Sequence, residues 1–365
     1  MDLNSLGIAK PESQTRVCVA MSGGVDSSAA AVLLRNQGYN VFGATMDLLQ
    51  PPYLPPLSSI ADARKVADKL GIEHHYLDLR QQFSQKVIDY FADSYLQGQT
   101  PSPCIMCNRH IKLGILADFA RENGADILVT GHYAGIKLSA QGVELHRGED
   151  ANRDQSYFLF AVKKRDLQML RCPLATFCKE QTREIAREAG LEIYKKADSQ
   201  DICFVASGHY ADLIAKLRPE APFRSGKIVD SSGKVLGQHR GLIHYTVGQR
   251  RGMGIGGGDI LYVLKLDVPN NRLIVGSKNE LLTTNVHIRN LNWLGDKLPE
   301  TMLLDVKLRS RQKAIKAEVR FNPADNSADL KLLEDFYGAA PGQGACFYDG
   351  TRVMGGGIIT ELTNL

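Results

Sequence analysis

The first 200 residues alternate short apolar runs with helical patterns, and this alternation constrains the fold more than any other feature of the chain. Residues 17–21 and 41–46 have the apolar character of buried strands, and residues 27–37 between them favour a helix that ends before Gly38. A helix between two strands is typical of a right-handed crossover between parallel strands. We therefore predict an α/β domain with a doubly covered parallel sheet, and we expect ligands at the carboxyl ends of its strands.

The pattern changes after about residue 205 to short β-like pieces separated by turns. A short helix is expected over residues 209–217, and nearly all of residues 285–365 favour a small antiparallel barrel. We predict three domains: a parallel-sheet α/β domain over residues 1–205, a small central domain over 206–283 and a C-terminal β-barrel over 284–365.

Composition excludes several classes of protein. A formal net charge of +4 over 365 residues is too small for a wholly basic nucleic-acid coat. No uncharged apolar stretch of about 18 residues occurs, so no membrane span is expected. Residues 1–14 lack the apolar core of a secretory signal. Seven cysteines in a chain of this length fit a reducing cytoplasm better than a disulfide scaffold.

A glycine-rich loop lies between the first predicted strand and the first predicted helix. It consists of Ala20, Met21, Ser22, Gly23, Gly24, Val25, Asp26, Ser27 and Ser28. The two glycines remove side chains where phosphate oxygens would approach the backbone, and the helix N-terminus adds positive potential. The loop is not a Walker A sequence, because no Gly-Lys-Ser/Thr follows. It indicates a phosphate site, with a structural turn capped by Asp26 as the alternative.

The cysteines form a second constellation. Cys104 and Cys107 are a Cys-x-x-Cys pair before a predicted helix over residues 108–123, and a thiol at a helix N-terminus is expected to have a lowered pKa. The spacing alone fits a redox pair, half of a metal site or a nucleophile with a neighbour. Cys203, taken alone, favours burial in the core. The other cysteines are also expected in the core: Cys18, Cys172, Cys178 and Cys346.

Two segments of the later domains are basic. Residues 224–251 hold six Lys and Arg side chains against one Asp, and residues 301–320 hold six against two acidic side chains. Taken alone, such runs are more often solvated surface than ligand sites. They are also what a long RNA footprint requires, because phosphates must be neutralised along its length.

Eight motifs occur in one order and carry a family resemblance. They are residues 22–27, 101–108, 130–133, 154–159, 201–204, 248–252, 341–343 and 355–359. The first, Ser-Gly-Gly-Val-Asp-Ser, resembles the PP-loop of the ATP pyrophosphatase superfamily (adenine nucleotide α-hydrolase-like), whose members adenylylate a carbonyl oxygen. Together the motifs resemble the tRNA-specific 2-thiouridylase family, which converts the wobble uridine of certain tRNAs to 2-thiouridine.

This resemblance implies roles for the cysteines. Cys107 would be the nucleophile, and Cys203 would receive sulfur as a persulfide. ATP would convert the C2 oxygen of uridine to an adenylate, attack on C2 would release AMP, and a disulfide between Cys107 and Cys203 would close the cycle. Because the two cysteines come from distant segments, a mobile Cys203 loop is expected, flanked by Ser199, Gln200 and Asp201.

Cys104 departs from the best-known family pattern, which has Asp three residues before the nucleophile. A thiol can still transfer a proton, although its pKa differs from that of a carboxyl group by several units. An alternative mechanism uses a [4Fe-4S] cluster held by the thiolates of Cys104, Cys107 and Cys203, with one iron left open to carry sulfide.

The resemblance also implies binding residues and partners. Within an ATP site with Mg²⁺, Met46 would contact adenine, Gly131 would let the protein backbone approach the nucleotide, and Asp26 would help to hold Mg²⁺ or the phosphates. His132 is equally compatible with the core and with a phosphate contact. The implied tRNA contacts are Ser102, Pro103, Cys104, Arg153, Asp154, Gln155, Arg309 and Ser310. The implied partners are tRNAs of the Lys, Glu and Gln type and a sulfur-relay or cysteine desulfurase protein.

Two other functions share part of this pattern. An ATP-dependent amide-forming ligase would use the loop, but it needs an ammonia source and leaves the paired cysteines unexplained. A non-catalytic tRNA-binding protein would need neither an intact PP-loop nor a Cys-x-x-Cys pair. The thiolation reaction explains both constellations.

Overall fold

The computed structural model describes residues 3–49, 58–140, 142–197, 202–205, 210–221, 224–256 and 260–364. Its α-helices are α1 (Val25–Asn36), α2 (Ser58–Leu70), α3 (Arg80–Phe83), α4 (Asp89–Leu96), α5 (Pro103–Cys107), α6 (Leu116–Glu122), α7 (Lys164–Leu167), α8 (Lys179–Glu188) and α9 (Tyr210–Leu217). Its strands up to the centre of the chain are β1 (Arg16–Ala20), β2 (Asn40–Asp47), β3 (Glu73–Asp78), β4 (Ile127–Val129), β5 (Ala134–Ser139), β6 (Gly142–Arg147) and β7 (Leu170–Arg171). The later strands are β8 (Gly226–Asp230), β9 (Val235–His239), β10 (Tyr262–Asp267), β11 (Arg272–Gly276), β12 (Leu282–Trp293), β13 (Thr301–Lys307), β14 (Ile315–Asn322), β15 (Ser327–Tyr337), β16 (Gly344–Asp349) and β17 (Arg352–Asn364).

A five-stranded parallel sheet forms the core of the first of two compact units, which comprises residues 1–86, 104–206 and 351–353. The strand order is β3-β2-β1-β4-β7, and every neighbouring pair is parallel. Val17, Cys18 and Val19 of β1 have no exposed surface, as expected for a central strand covered on both faces. The order reverses between β1 and β4, so the loops that follow these strands meet at the carboxyl edge. The predicted α/β fold is confirmed.

An antiparallel hairpin of β5 and β6, which the sequence pattern did not predict, completes this unit. Its two strands are mostly half-buried rather than uniformly apolar, so they lack the pattern of the central strands. His146 of the hairpin pairs with Arg352.

The second compact unit comprises residues 87–103, 207–350 and 354–365 and contains two β-structures. A four-stranded sheet has the order β10-β11-β8-β9. A six-stranded antiparallel barrel has the order β12-β15-β14-β13-β16-β17 and is closed by pairing of β12 with β17. In β14 buried and exposed residues alternate, which places one row of side chains in the barrel interior. The predicted C-terminal barrel is confirmed, and the boundaries at 205/206 and 283/284 stay predictions.

The segment after Cys107 is not the uniform α-helix that the sequence predicts. Residues Asn108–Ile115 form a π-helical stretch before α6, with a non-helical backbone at Leu113. Gly114 contributes to this geometry, because a Cβ there would lie 2.9 Å from the carbonyl oxygen of Arg109. π-Helical turns are rare and often occur at functional sites.

Three further expectations concern a helix, a loop and the absence of a membrane span. The helix predicted over residues 209–217 is present as α9, although His209 lies outside the described residues. Ser199, Gln200 and Asp201, expected in a mobile loop, also lie outside them. Within the described part of the chain, every helix is too short or too polar to cross a membrane.

Candidate active site

The glycine-rich loop connects β1 to α1. Gly23 has φ +68°, and a Cβ at this position would lie 1.9 Å from the carbonyl oxygen of Ser59, so no other residue fits without a shift of the backbone. The amide of Ser22 donates to Oγ of Ser27 at 3.1 Å, which folds the loop over the start of the helix. The N-cap of α1 is Gly24, without a side-chain cap, so the alternative of a turn capped by Asp26 is wrong. The first amides of α1 have no intrahelical partner and suit a phosphate.

Asp26 is instead held by two side chains from distant parts of the sequence. Nζ of Lys179 lies 2.6 Å from Oδ1 of Asp26, and the hydroxyl of Tyr133 donates to the same oxygen at 2.8 Å. Within the described part of the chain Oδ2 has no hydrogen-bond donor. One carboxylate oxygen of the loop is therefore available to a ligand.

Gly131 follows β4 and packs directly on the loop. A Cβ on Gly131 would lie 2.7 Å from the backbone nitrogen of Ser27. Half-buried Met46 lies near the end of the neighbouring strand β2, where the hydroxyl of Thr45 donates to the carbonyl of Met21 at 2.7 Å. The structure thus brings the loop, Met46 and Gly131 to the same carboxyl edge of the sheet.

His132 lies next to this edge and is half-buried. Its Nδ1 is 2.7 Å from Oγ1 of Thr130. Burial, and then the positive charge of Lys112, lower the pKa of His132 to about 3. The imidazole is therefore neutral at physiological pH.

Three cysteines of the first unit lie close enough for their thiols to influence one another's pKa. Cys107 ends α5 and is 7% exposed, whereas Cys104 and Cys203 are exposed. The thiol of Cys107 interacts electrostatically with those of Cys104 and Cys203, and the latter two also interact with each other. All seven cysteines are free in this structure, so a disulfide between Cys107 and Cys203 stays a prediction.

The expected lowering of the thiol pKa is wrong. Loss of solvation raises the pKa of Cys107 to about 12 and also raises the pKa values of Cys104 and Cys203. Cys104 is the second residue of α5 and Cys107 its fifth, so the positive end of the helix lies nearer to Cys104, and its partial charge does not offset the loss of solvation there.

Lys112, which no sequence motif singled out, opposes this rise. Its positive charge lowers the pKa of all three thiols, and the thiols in turn outweigh the effect of burial and raise the pKa of Lys112. In a π-helix the backbone bonds run from residue i to i+5, so residues five apart lie on nearly the same face. That spacing relates Lys112 to Cys107, whereas an α-helix would point them apart.

The described residues contain no group of three His, Cys, Asp or Glu side chains arranged to hold a metal ion. Cys104, Cys107 and Cys203 are all described, so in this arrangement they do not fit a [4Fe-4S] cluster. Of the five cysteines whose residue context alone favours the core, Cys18, Cys172 and Cys346 are buried, whereas Cys203 is exposed, so the expectation of a buried Cys203 is wrong. Cys178 is only half-buried, because it is the N-cap of α8.

Two of the three tRNA-contact candidates after the hairpin support the local backbone. Oδ1 of Asp154 accepts hydrogen bonds from the amides of Gly148 and Ser156 at 3.1 and 3.0 Å. Oε1 of Gln155 accepts from the amide of Tyr133 at 3.1 Å. Arg153 is exposed, so it is the member of this group best placed to reach a phosphate.

In the second unit, the Pro-Gly-Gln motif holds the segment that leads to Ser102. The amide of Thr100 donates to the carbonyl of Pro341 at 2.7 Å, and Nε2 of Gln343 donates to the carbonyl of Thr100 at 2.7 Å. Ser102 is half-buried, and buried Pro103 begins α5. Proline suits the first position of a helix because its missing N–H would have no intrahelical partner.

Arg309 and Ser310 lie between β13 and β14 and are both half-buried. Nη2 of Arg309 donates to the carbonyl of Val247 at 2.9 Å, so this guanidinium supports the fold of the second unit. Arg311, two residues further along the same turn, is exposed. The basic residues that are exposed in the two basic segments are Arg224, Lys227, Lys234, Arg240, Arg250, Arg251, Arg311, Lys313, Lys316 and Arg320.

Three family models match the chain in succession. The tRNA methyl transferase HUP domain matches residues 15–207, the tRNA methyl transferase PRC-barrel domain matches 214–277, and the aminomethyltransferase beta-barrel domain matches 283–359. Among curated proteins, the tRNA-specific 2-thiouridylase MnmA of Ruegeria pomeroyi is 49% identical over 98% of this chain and 99% of its own length. The tRNA-specific 2-thiouridylase MnmA of Rhodospirillum centenum is 48% identical over 98% of this chain and 95% of its own length.

A solved structure described as a U34-tRNA thiolase NcsA from Methanococcus maripaludis with its [4Fe-4S] cluster is also similar to part of the chain. It shares 18% identity and covers 60% of this chain and 70% of its own, with a TM-score of 0.36. Fold and loop define a member of the PP-loop superfamily. The near-complete match to the curated relatives then fixes the family: the chain belongs to the tRNA-specific 2-thiouridylases.

Proposed function

We propose that this protein uses ATP to replace the C2 oxygen of the tRNA wobble uridine with sulfur. One observation supports this most directly: a single α/β unit contains both the PP-loop and a cluster of three thiols beside the Lys112 cation. An amide-forming ligase would leave that cluster without a role. The family models are described as methyl transferase domains, but neither constellation is needed for methyl transfer.

The loop prepares the uridine for substitution. The C2 oxygen attacks the α-phosphate of ATP, pyrophosphate leaves, and the oxygen becomes part of a good leaving group, AMP. The free amides at the start of α1 stabilise the developing phosphate charge. The uridine must leave the base stack to reach the thiols, as in other enzymes that act on a base.

The cysteines then deliver sulfur. The terminal sulfur of a Cys203 persulfide attacks C2, and AMP leaves with the C2–O bond electrons. The thiolate of Cys107 attacks Sγ of Cys203, which releases 2-thiouridine and leaves a Cys107–Cys203 disulfide. Two electrons from an external dithiol restore both thiols. Cys104, exposed at the same cluster, supplies the proton-transfer group that an Asp provides in the best-known family pattern.

Mg²⁺ fits the loop, and an iron–sulfur cluster does not fit the cysteines as arranged. Hard cations take carboxylate oxygens, and Oδ2 of Asp26 has no donor within the described residues. Bound there, Mg²⁺ would offset phosphate charge. The three thiols form no metal-binding group among the described residues, so sulfur is carried by the persulfide rather than by a [4Fe-4S] cluster.

The tRNA contacts follow from exposure. Arg153 and the exposed cations of the two basic segments bind phosphates, whereas Asp154, Gln155 and Arg309 act mainly by shaping the surface. The substrates are tRNAs of the Lys, Glu and Gln type, and a sulfur-relay or cysteine desulfurase protein charges Cys203. Free cysteines throughout suit a reducing cytoplasm.

The test combines the full chain, an unmodified tRNA, ATP and a persulfide donor, and measures 2-thiouridine by mass spectrometry together with AMP and pyrophosphate. One AMP and one pyrophosphate are expected for each thiolated base. An α,β-methylene analogue of ATP should stop the reaction, because it cannot transfer AMP. Adenylylation without sulfur transfer, in the presence of a competent donor, would contradict the proposal.

A further inference from the structure

The PP-loop contains no cation of its own. Residues 20–28 include neither Lys nor Arg, unlike a Walker A loop, whose lysine reaches the phosphates. Backbone amides and a helix N-terminus supply only partial charges. Pyrophosphate carries several negative charges as it leaves, so phosphoryl chemistry ordinarily recruits a full positive charge.

Two lysines far along the sequence reach this loop within the first unit. Lys179, the first residue of α8, is 5% exposed, and its Nζ lies 2.6 Å from Oδ1 of Asp26. Lysine is almost never buried to this extent unless it is paired. Nζ of Lys196 donates to the carbonyl of Gly23 at 3.2 Å and to Oδ2 of Asp62 at 2.9 Å.

These contacts place one ammonium at each end of the glycine turn. Lys179 contacts the side chain of Asp26 after the two glycines, and Lys196 contacts the backbone carbonyl of Gly23. Lys179 is paired with the carboxylate of Asp26, so this buried lysine is not left without a counter-charge, and the half-buried Lys196 is paired with Asp62. The side-chain nitrogens of both lysines therefore lie beside the loop, where phosphates would approach.

We propose that Lys179 and Lys196 bind the β- and γ-phosphates of ATP and stabilise the departing pyrophosphate. The proposal rests on the proposed function only in taking ATP as the substrate. On binding, phosphate oxygens replace the carboxylate oxygens as partners of the two ammonium groups, and Asp26 becomes available to the cation that accompanies ATP. Adenosine and the α-phosphate are bound elsewhere along the loop and the sheet edge.

The test compares ATP, AMP and inorganic pyrophosphate as ligands of the full chain by calorimetry, for the unaltered protein and for Lys179→Gln and Lys196→Gln. Each variant should bind ATP and pyrophosphate at least about tenfold more weakly, because a charged contact is lost, with AMP affinity unchanged. Lys195→Gln is the matched control, since it removes the same charge from the exposed neighbouring residue. Lys179→Arg should recover part of the ATP affinity.

The outcomes separate this inference from a structural role and from the proposed function. Equal weakening of ATP and AMP, or a lower unfolding temperature with ATP affinity intact, would mean that the lysines only brace the loop. If Lys179→Gln does not fold, the ATP and AMP affinities of Lys196→Gln still test the proposal, because Lys196 is only half-buried. Variants that lose ATP selectively in a protein that never thiolates tRNA would uphold the phosphate site and overturn the proposed function.

Discussion

Gly131 packs against the backbone of Ser27 so closely that a Cβ on Gly131 would lie 2.7 Å from the Ser27 nitrogen. The segment after β4 and the start of α1 therefore leave no room for a side chain. Gly131→Ala should push the PP-loop off its phosphate-binding geometry and lower ATP affinity, with a stability loss of about 1–3 kcal/mol typical of overpacking. Calorimetry with ATP and thermal unfolding measure the two effects. Gly237→Ala in β9 is the control, because its nearest neighbour would be 4.0 Å away. Unchanged ATP affinity in Gly131→Ala would contradict the packing argument.

The two cysteines assigned to sulfur transfer can be separated from a cysteine outside the cluster. Cys107→Ser and Cys203→Ser should reduce thiolation by several orders of magnitude, because serine can neither carry persulfide sulfur nor resolve it. ATP affinity should stay the same in both. Cys178→Ser is the matched control, since serine is a preferred N-cap and Cys178 occupies that position in α8. Full activity of Cys203→Ser with a persulfide donor would remove Cys203 from the cycle.

Lys112 should set the pH dependence of the thiols. Burial raises the pKa of Cys107 to about 12 and Lys112 works against that rise, so the reactive thiolate is scarce at neutral pH and increases as pH rises. Removing the charge in Lys112→Gln raises the thiol pKa further. At a fixed neutral pH the alkylation rate should therefore fall, roughly tenfold for each unit of pKa.

The measurement is iodoacetamide alkylation of Cys107 and Cys203 against pH, followed by mass spectrometry. The curve of Lys112→Gln should lie at higher pH than that of the unaltered protein, and Lys112→Arg should lie close to the latter. Cys178 provides an internal control in every sample, because it lies outside the cluster. A curve that moves to lower pH in Lys112→Gln would contradict the assignment.

The sequence predicted the features that depend on periodicity and on local motifs. The apolar run of β1 with the glycine-rich loop after it, and the turn-separated β-like pieces that indicated the C-terminal barrel, each have a local signal. Lys112 had none, because its relation to Cys107 depends on a π-helical turn that sequence periodicity does not reveal. Lys179 was missed for a similar reason. Its partner Asp26 is 153 residues away, and only the folded sheet brings the two together.

Arg309 and Arg311 stand two residues apart in one turn, but they should respond differently to substitution. Arg311→Gln removes an exposed cation, so it should weaken tRNA binding and reduce the slope of log affinity against log salt by about 1, with little change in stability. Arg309→Gln removes the donor to the Val247 carbonyl, so it should lower the free energy of unfolding by about 1–3 kcal/mol. Filter binding across a salt series and denaturant unfolding distinguish the two effects. An unchanged salt slope for Arg311→Gln would take this turn out of the tRNA footprint, and unchanged stability of Arg309→Gln would show that its hydrogen bond does not support the fold.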